Sequence, residues 1–269
     1  MTTRDLLELA EETARAAGRL MLAERTWGVE VAATKSSPTD VVTAVDIASE
    51  RLIRSRLLTA RPTDGFVGEE GEDVPTRSGV TWVVDPIDGT VNYLYGLRQS
   101  AVSIAACRGE QVLVGVVHHP ASGETFTAAA QEGAWCDGQR MSPSGCTDVS
   151  RALVGIGFHY RAEVRARQAV EVSRLVPVVR DVRRLGAAAL DLCYVGAGRL
   201  DAYVERGLKP WDLAAGGLVA REAGVRVEGM DGRPAGELIV VAAPDGLFPH
   251  FHAALVSAGF ADWPLPDWP

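Results

Sequence analysis

A chain of 269 residues, 47% hydrophobic and 23% charged, can form one large domain or two that share a core, which excludes a disordered polymer and a long multidomain assembly. A formal net charge of −8, with no Lys/Arg run longer than a pair, argues against a polyanion-binding surface and against nucleic acid as a partner. No apolar run reaches the roughly 20 residues that span a bilayer, the start lacks the apolar core of a secretory signal, and Cys107, Cys136, Cys146 and Cys193 form no CxxC pair. The expectation is a cytoplasmic protein with reduced thiols and no membrane association.

In chain order, residues 4–23 carry Leu6, Leu7, Ala10, Ala14, Ala17 and Met21 at helical spacing, predicting an amphipathic first helix. A Ser/Pro/Thr/Asp loop at 36–40 precedes a second helix starting at Asp46, marked by Ile47, Leu52, Ile53 and Leu57. Short apolar segments at 66–67, 80–84, 101–107, 111–117 and 124–129, separated by turn residues, predict an antiparallel meander. The turn-rich stretch 141–148 is the one plausible boundary, dividing an α+β half (1–144) from an α/β half (145–269). In the second half, strands at 152–156, 182–185 and 200–204 alternate with helices at 163–175, 187–195 and 213–223, and the tail 262–269 reads as irregular.

The densest chemical signal is Trp82-Val83-Val84-Asp85-Pro86-Ile87-Asp88-Gly89-Thr90, an apolar strand ending in two carboxylates and a Gly-Thr pair. Pro86 removes a ladder donor and is expected to stop the strand; Gly89 permits an unusual backbone angle, and Thr90 can open a helix facing an anion. Alone, this segment reads first as a solvated turn, since Asp, Pro and Gly are ordinary turn formers. Its company changes the reading: Gly68-Glu69-Glu70-Gly71 follows another short apolar strand, and Trp211-Asp212 begins a helix. Taken singly, Asp212 is a helix cap and Glu69 or Glu70 a loop charge. Brought together with Asp46, these acids would repel one another and any phosphate, so divalent cations become necessary, and all-oxygen ligands favour magnesium or manganese over zinc.

The GEE strand end, the WVVDPIDGT segment and the distal WD before a small-residue helix, together with the 35–46 stretch and Gly186-Ala187-Ala188-Ala189, closely resemble the inositol monophosphatase family across nearly the whole chain. The resemblance implies a layered αβαβα sandwich of the inositol monophosphatase and fructose-1,6-bisphosphatase type, a homodimer, and lithium-sensitive, magnesium-dependent hydrolysis of a small phosphate monoester by activated water. It implies two to three magnesium ions: Glu69, Asp85 and the Ile87 carbonyl would hold one, Asp85, Asp88 and Asp212 another, and a weaker third would lie near Glu69. Asp46 and Thr90 would orient and deprotonate the water. Substrate contacts would come from Asp88, Gly89, Thr90, Gly186, Ala187, Ala188, Glu205 and Asp212. Ala187 stands where Ser or Thr is common in the family, which removes a hydroxyl from the expected pocket, and without the resemblance Glu205 reads equally as an exposed strand-end carboxylate.

Inositol monophosphate is the expected substrate; histidinol phosphate and fructose 1,6-bisphosphate are alternatives within the same family, and a non-enzymatic protein-binding regulator is a more distant one. Cys193-x5-Arg199 matches the loop of cysteine-dependent phosphatases, but Cys193 falls inside a helical run and reads as a packing cysteine. The Asp85 segment also approaches the Asp-x-Asp-Gly-Thr signature, with its carboxylates one residue too far apart. His118 and His119 end a strand, where neighbours face opposite ways, and are expected in a loop or on the surface rather than as a metal pair.

Overall fold

A computed structural model describes residues 2–25, 31–34 and 41–261. The expected loop at 36–40, the Lys35 to Asp40 part of the family-like stretch and the expected irregular tail at 262–269 lie outside the described residues.

The order is α1 (Thr3–Arg25), β1 (Val31–Thr34), β2 (Val41–Thr43) and α2 (Ala44–Ala60), then β3 (Gly65–Gly68), β4 (Thr81–Asp88), α3 (Thr90–Leu94), β5 (Ala101–Arg108), β6 (Gln111–His118), β7 (Thr125–Ala129), β8 (Gly133–Cys136) and β9 (Gln139–Arg140). The second half has β10 (Leu153–Ile156), α4 (Ala162–Leu175), β11 (Asp181–Arg183), α5 (Ala188–Gly196), β12 (Ala202–Glu205), α6 (Pro210–Glu222), β13 (Val225–Glu228), β14 (Val240–Pro244) and α7 (Phe248–Ala258). β3 to β9 form a seven-stranded sheet in chain order, a five-stranded sheet runs β11-β10-β12-β14-β13, and β1 pairs antiparallel with β2 in a small third sheet.

Side-chain periodicity decides the layering. In β4, Trp82 and Val84 pack with Leu6, Ala10 and Met21 of α1 and Ile53 and Leu57 of α2, while Val83 faces the opposite cluster. That central cluster joins Leu192 and Cys193 of α5 and Leu218 and Val219 of α6 to both sheets. Outside the second sheet, Leu175 of α4 and Phe251 and Leu255 of α7 cover Val154, Val204 and Val241. The result is the expected αβαβα sandwich. Each of the two large sheets is covered on both faces, which explains why their central strands read as near-continuous apolar runs.

Three expectations change. β3 and β4 run parallel, so the meander becomes antiparallel only from β4 onward. β4 passes through Pro86 to Asp88: Asp85 pairs with Ser103 and Asp88 with Ala101, so one extra residue is accommodated as a bulge, and the missing proline donor falls at that irregularity. His118 and His119 are buried, not superficial. The His118 ring lies where a Cβ on Gly18 would stand, 2.5 Å from its Cδ2, and its Nδ1 is 3.0 Å from Thr125 Oγ1. Burial, then the charge of Arg15, lowers its pKa to about 4, so it packs as a neutral ring. His119 Nε2 donates to the Arg98 carbonyl at 2.8 Å.

Candidate active site

The parallel pairing of β3 with β4 places Gly68 beside Val84, so Glu69 leaves one strand end next to Asp85 on the other. In a regular strand, Asp85 and Asp88 would point to opposite faces, three residues apart. The bulge between them cancels that difference, and both carboxylates line one cleft of about 540 Å³. Gly89 follows at φ 86°; a Cβ there would come within 2.8 Å of the Gln99 carbonyl and 3.0 Å of the Gly186 carbonyl, so only glycine fits.

Asp46 is the third residue of α2, whose N-cap is Thr43. Asp46 Oδ2 accepts from the Thr43 amide at 2.9 Å and also contacts the Thr43 hydroxyl, which leaves Oδ1 to accept from Thr90 Oγ1 at 3.0 Å. The Thr90 hydroxyl is also 3.0 Å from the Ile87 carbonyl. Burial raises the Asp46 pKa against the lowering by Thr43 and Thr90, giving a more basic carboxylate.

From the other half, the first amides of α5 hold Asp88: Ala188 N–H donates to Oδ1 at 3.1 Å and Ala189 N–H to Oδ2 at 2.8 Å. Asp212 lies in the first turn of α6 and accepts from the Lys209 amide at 2.7 Å. Gly186, Ala188, Glu205 and Asp212 line the cleft with Glu69, Asp85, Ile87, Asp88, Gly89 and Thr90. Asp46 lies beneath Thr90, and Ala187 is buried against Gly89 rather than lining the cleft. Glu205 contacts the Tyr203 hydroxyl and lies on Gly157, where a Cβ would fall 1.7 Å from its carboxyl carbon. Burial brings Glu205 up to about 7.

The acids perturb one another. Burial, followed by the charges of Glu69, Asp88 and Asp212, lifts Asp85 well above the carboxylate range; burial, then Glu69 and Asp88, does the same to Asp212. Asp88 rises to about 7 through burial, despite the two amides that favour its charge. Among the described residues, no three acidic, His or Cys side chains already stand in a ligand arrangement. The donor chemistry nevertheless fits a hard divalent cation, since buried oxygen donors of one sign converge and raise each other's pKa.

Sequence reasoning missed Arg184, His159, Tyr160 and Arg161 on the cleft wall, as well as Gly157 and Glu50. None stands in a motif. The available signal for Glu50 is its place in a polar stripe, Asp46, Ser49 and Glu50, at i, i+3 and i+4 of an otherwise apolar helix face. Cys193, fully buried within α5 and raised well above its ordinary pKa by burial, is a packing thiol.

A profile of the inositol monophosphatase family matches residues 3–258. An inositol-1-monophosphatase of Mycobacterium bovis is 47% identical over 243 residues, 87% of this chain and 83% of the relative. A protein of Salmonella typhimurium named Nus factor SuhB is 39% identical, covering 81% of this chain and 83% of its own length. The crystal structure of extragenic suppressor protein suhB from Bartonella henselae superposes with a TM-score of 0.88 at 31% identity, over 93% of this chain and 98% of that one. With the strand-end acids, the layered fold and these matches agreeing along almost the full length, the chain belongs to the inositol monophosphatase family.

Proposed function

We propose that the protein hydrolyses a small polyol phosphate monoester, inositol monophosphate foremost, in a magnesium-dependent reaction. The observation that carries this reading is the meeting in one cleft of Glu69, Asp85, Asp88 and Asp212 with the hydrogen-bonded pair Thr90–Asp46. Glu69, Asp85, the Ile87 carbonyl, Asp88 and Asp212 would hold two to three magnesium ions, with manganese a workable substitute. When bound, the cation supplies Lewis acidity toward phosphoryl oxygen, acidifies water and offsets the charge of the leaving oxygen.

This chain's own residues do the rest. Thr90 Oγ1, held by Asp46, accepts a proton from the attacking water as its own passes to Asp46 Oδ1. The new P–O bond forms in line as the ester P–O bond breaks, and the departing alkoxide takes a proton from solvent. Thr43 keeps Asp46 in a fixed rotamer, and Glu205, backed by Tyr203, faces the substrate hydroxyls. We place the reaction in the cytoplasm, a reading supported by four free cysteines and by the lack, among the described residues, of a helix long and apolar enough to cross a membrane. We take the unit to be a homodimer, to be read by sedimentation.

Asp88→Asn and Asp212→Asn each remove one ligand charge, so each is expected to lower magnesium-dependent phosphate release from inositol 1-phosphate by about a hundredfold or more, with the circular dichroism unchanged. Retained turnover in both variants would refute the assignment. A panel with histidinol phosphate and fructose 1,6-bisphosphate ranks the substrates. A second reading, a protein-binding role, is favoured by the relative named as a Nus factor; stoichiometric partners without magnesium-dependent turnover would support it.

A further inference from the structure

We infer that Glu50 is a positioning residue that sets the geometry of the Glu69 loop, so that α2 fixes both the water-activating pair and the cation-holding loop. The inference rests on the reading of Glu69 as a cation ligand. Glu50 is 4% exposed, on the side of α2 that faces away from solvent. One carboxylate oxygen, Oε2, accepts the Glu70 amide at 2.8 Å; the other, Oε1, takes Arg54 Nη2 at 3.3 Å. The Arg54 guanidinium lies over the Phe66 ring, 4.3 Å from its centroid, and is thereby fixed itself.

The glycines that bracket the two glutamates complete the case. A Cβ on Gly68 would fall 2.3 Å from Glu50 Oε2, and one on Gly71 would fall 2.5 Å from Glu50 Oε1 and 2.8 Å from Arg54 Nη2. Neither glycine has a positive φ, so conformation does not demand them. Space does: the Glu50 carboxylate occupies the room that side chains at 68 and 71 would need. The Gly-Glu-Glu-Gly pattern is thus the imprint of a buried carboxylate on the loop that wraps it. A buried charge with one guanidinium and one amide partner holds that loop in a single arrangement, and Glu69 inherits it.

One turn earlier, Asp46 meets Thr90, and between them Ser49 donates to the Pro86 carbonyl at 3.2 Å, at the bulge that aims Asp85 and Asp88. Three adjacent polar residues of α2 therefore touch three separate pieces of the site.

The test uses the full chain, with calorimetric titration of Mn2+ in the absence of substrate and turnover of inositol 1-phosphate as a function of Mg2+. Glu50→Ala is expected to weaken Mn2+ binding by about 10- to 100-fold and to raise the Mg2+ needed for half-maximal rate in parallel, while the rate at saturating Mg2+ stays within about threefold. Glu50→Gln, which retains an acceptor for the Glu70 amide, recovers most of the affinity. A merely structural role would lower the melting temperature and leave the affinity of the folded fraction unchanged; that result overturns the inference. If Glu50→Ala does not fold, Gly71→Ala, which pushes the loop off the carboxylate, decides in its place by the same affinity loss or its absence. Glu69→Gln separates the two levels: if it binds Mn2+ like the parent, the ligand reading falls, whereas loss there with full binding in Glu50→Ala removes the positioning role alone.

Discussion

In the proposed function, Glu205 shows how the fold can settle a role that a side chain's sequence context leaves open. Its carboxyl lies against the backbone of Gly157, touches the Tyr203 hydroxyl and opens onto the cleft, so it is neither free to swing away nor cut off from a ligand. Because burial brings it up to about 7, it can serve a neighbouring hydroxyl as donor or acceptor near neutral pH. Glu205→Gln retains the shape and loses the charge, and a hydrogen bond to a charged group contributes about 1.5–3 kcal/mol. The expected result is a KM for inositol 1-phosphate higher by about tenfold or more, with kcat little changed. Phenyl phosphate, which has no hydroxyls to recognise, should show an unaltered KM, and equal losses on both substrates would assign Glu205 to scaffolding. Ala187 presents the contrary case: its side chain packs against Gly89, so the absent hydroxyl alters the floor behind the site rather than the cleft lining.

At the scale of elements, close approach of backbones keeps the acids in register. A Cβ on Gly216 in α6 would lie 2.8 Å from the Ala189 carbonyl and 2.9 Å from its Cα, and a Cβ on Gly115 in β6 would lie 2.8 Å from the Ala215 carbonyl. Small residues thus let α6 lie against both α5, whose first amides hold Asp88, and the seven-stranded sheet, while α6 itself carries Asp212. Gly216→Ala must force α5 and α6 apart, and is expected to cost about 1–3 kcal/mol in urea unfolding, the usual scale for overpacking. A neutral or stabilising result would show that the contact yields. Helices and central strands were legible in the sequence because their periodicity survives burial: α1, α4, α5 and α6 begin and end within a few residues of expectation. β1, β2, β8, β9, β13, β14 and α7 were not assigned from sequence, though β13 alternates as Val225-Arg226-Val227-Glu228 and α7 repeats Phe248, Phe251 and Leu255. The strand-end acids could be read from their motifs. Glu50 had a weaker signal, its stripe with Asp46 and Ser49, and because a glutamate on a helix normally faces water that stripe does not by itself say that this one is buried. The bulge at Pro86 was illegible for a similar reason: proline marks an interrupted ladder, and whether the strand stops or bulges depends on the neighbouring strand.

For the molecule as a whole, the buried acids of the site are a source of instability that the proposed cation would relieve. Asp85, Asp88 and Asp212 have pKa values raised above the ordinary 3.8, Asp88 to about 7, by burial and mutual repulsion. A carboxyl whose folded pKa lies above its unfolded one binds its proton more tightly in the folded state. Its stabilising contribution is therefore complete below about pH 4 and is lost as pH rises through the folded value. The metal-free protein should accordingly melt at progressively lower temperature between about pH 5 and pH 8, the reverse of a chain whose carboxylates are salt-bridged. Under the proposed function magnesium would compete with those protons, so the stabilisation it confers should grow over the same interval. At a hundredfold excess over its Kd, one site adds about 2.7 kcal/mol, or roughly 5–10 °C in Tm for a chain of this size. Scanning calorimetry in chelator and in magnesium at pH 5 and pH 8 measures both trends, and coincident melts at pH 8 would contradict them. Asp88→Asn supplies the sharper comparison: without metal at pH 8 it should melt above the parent, because it removes a buried repelling charge, and with magnesium it should lose that advantage. A residue that stabilises the fold when neutralised and abolishes turnover at the same time is held there by chemistry and not by packing.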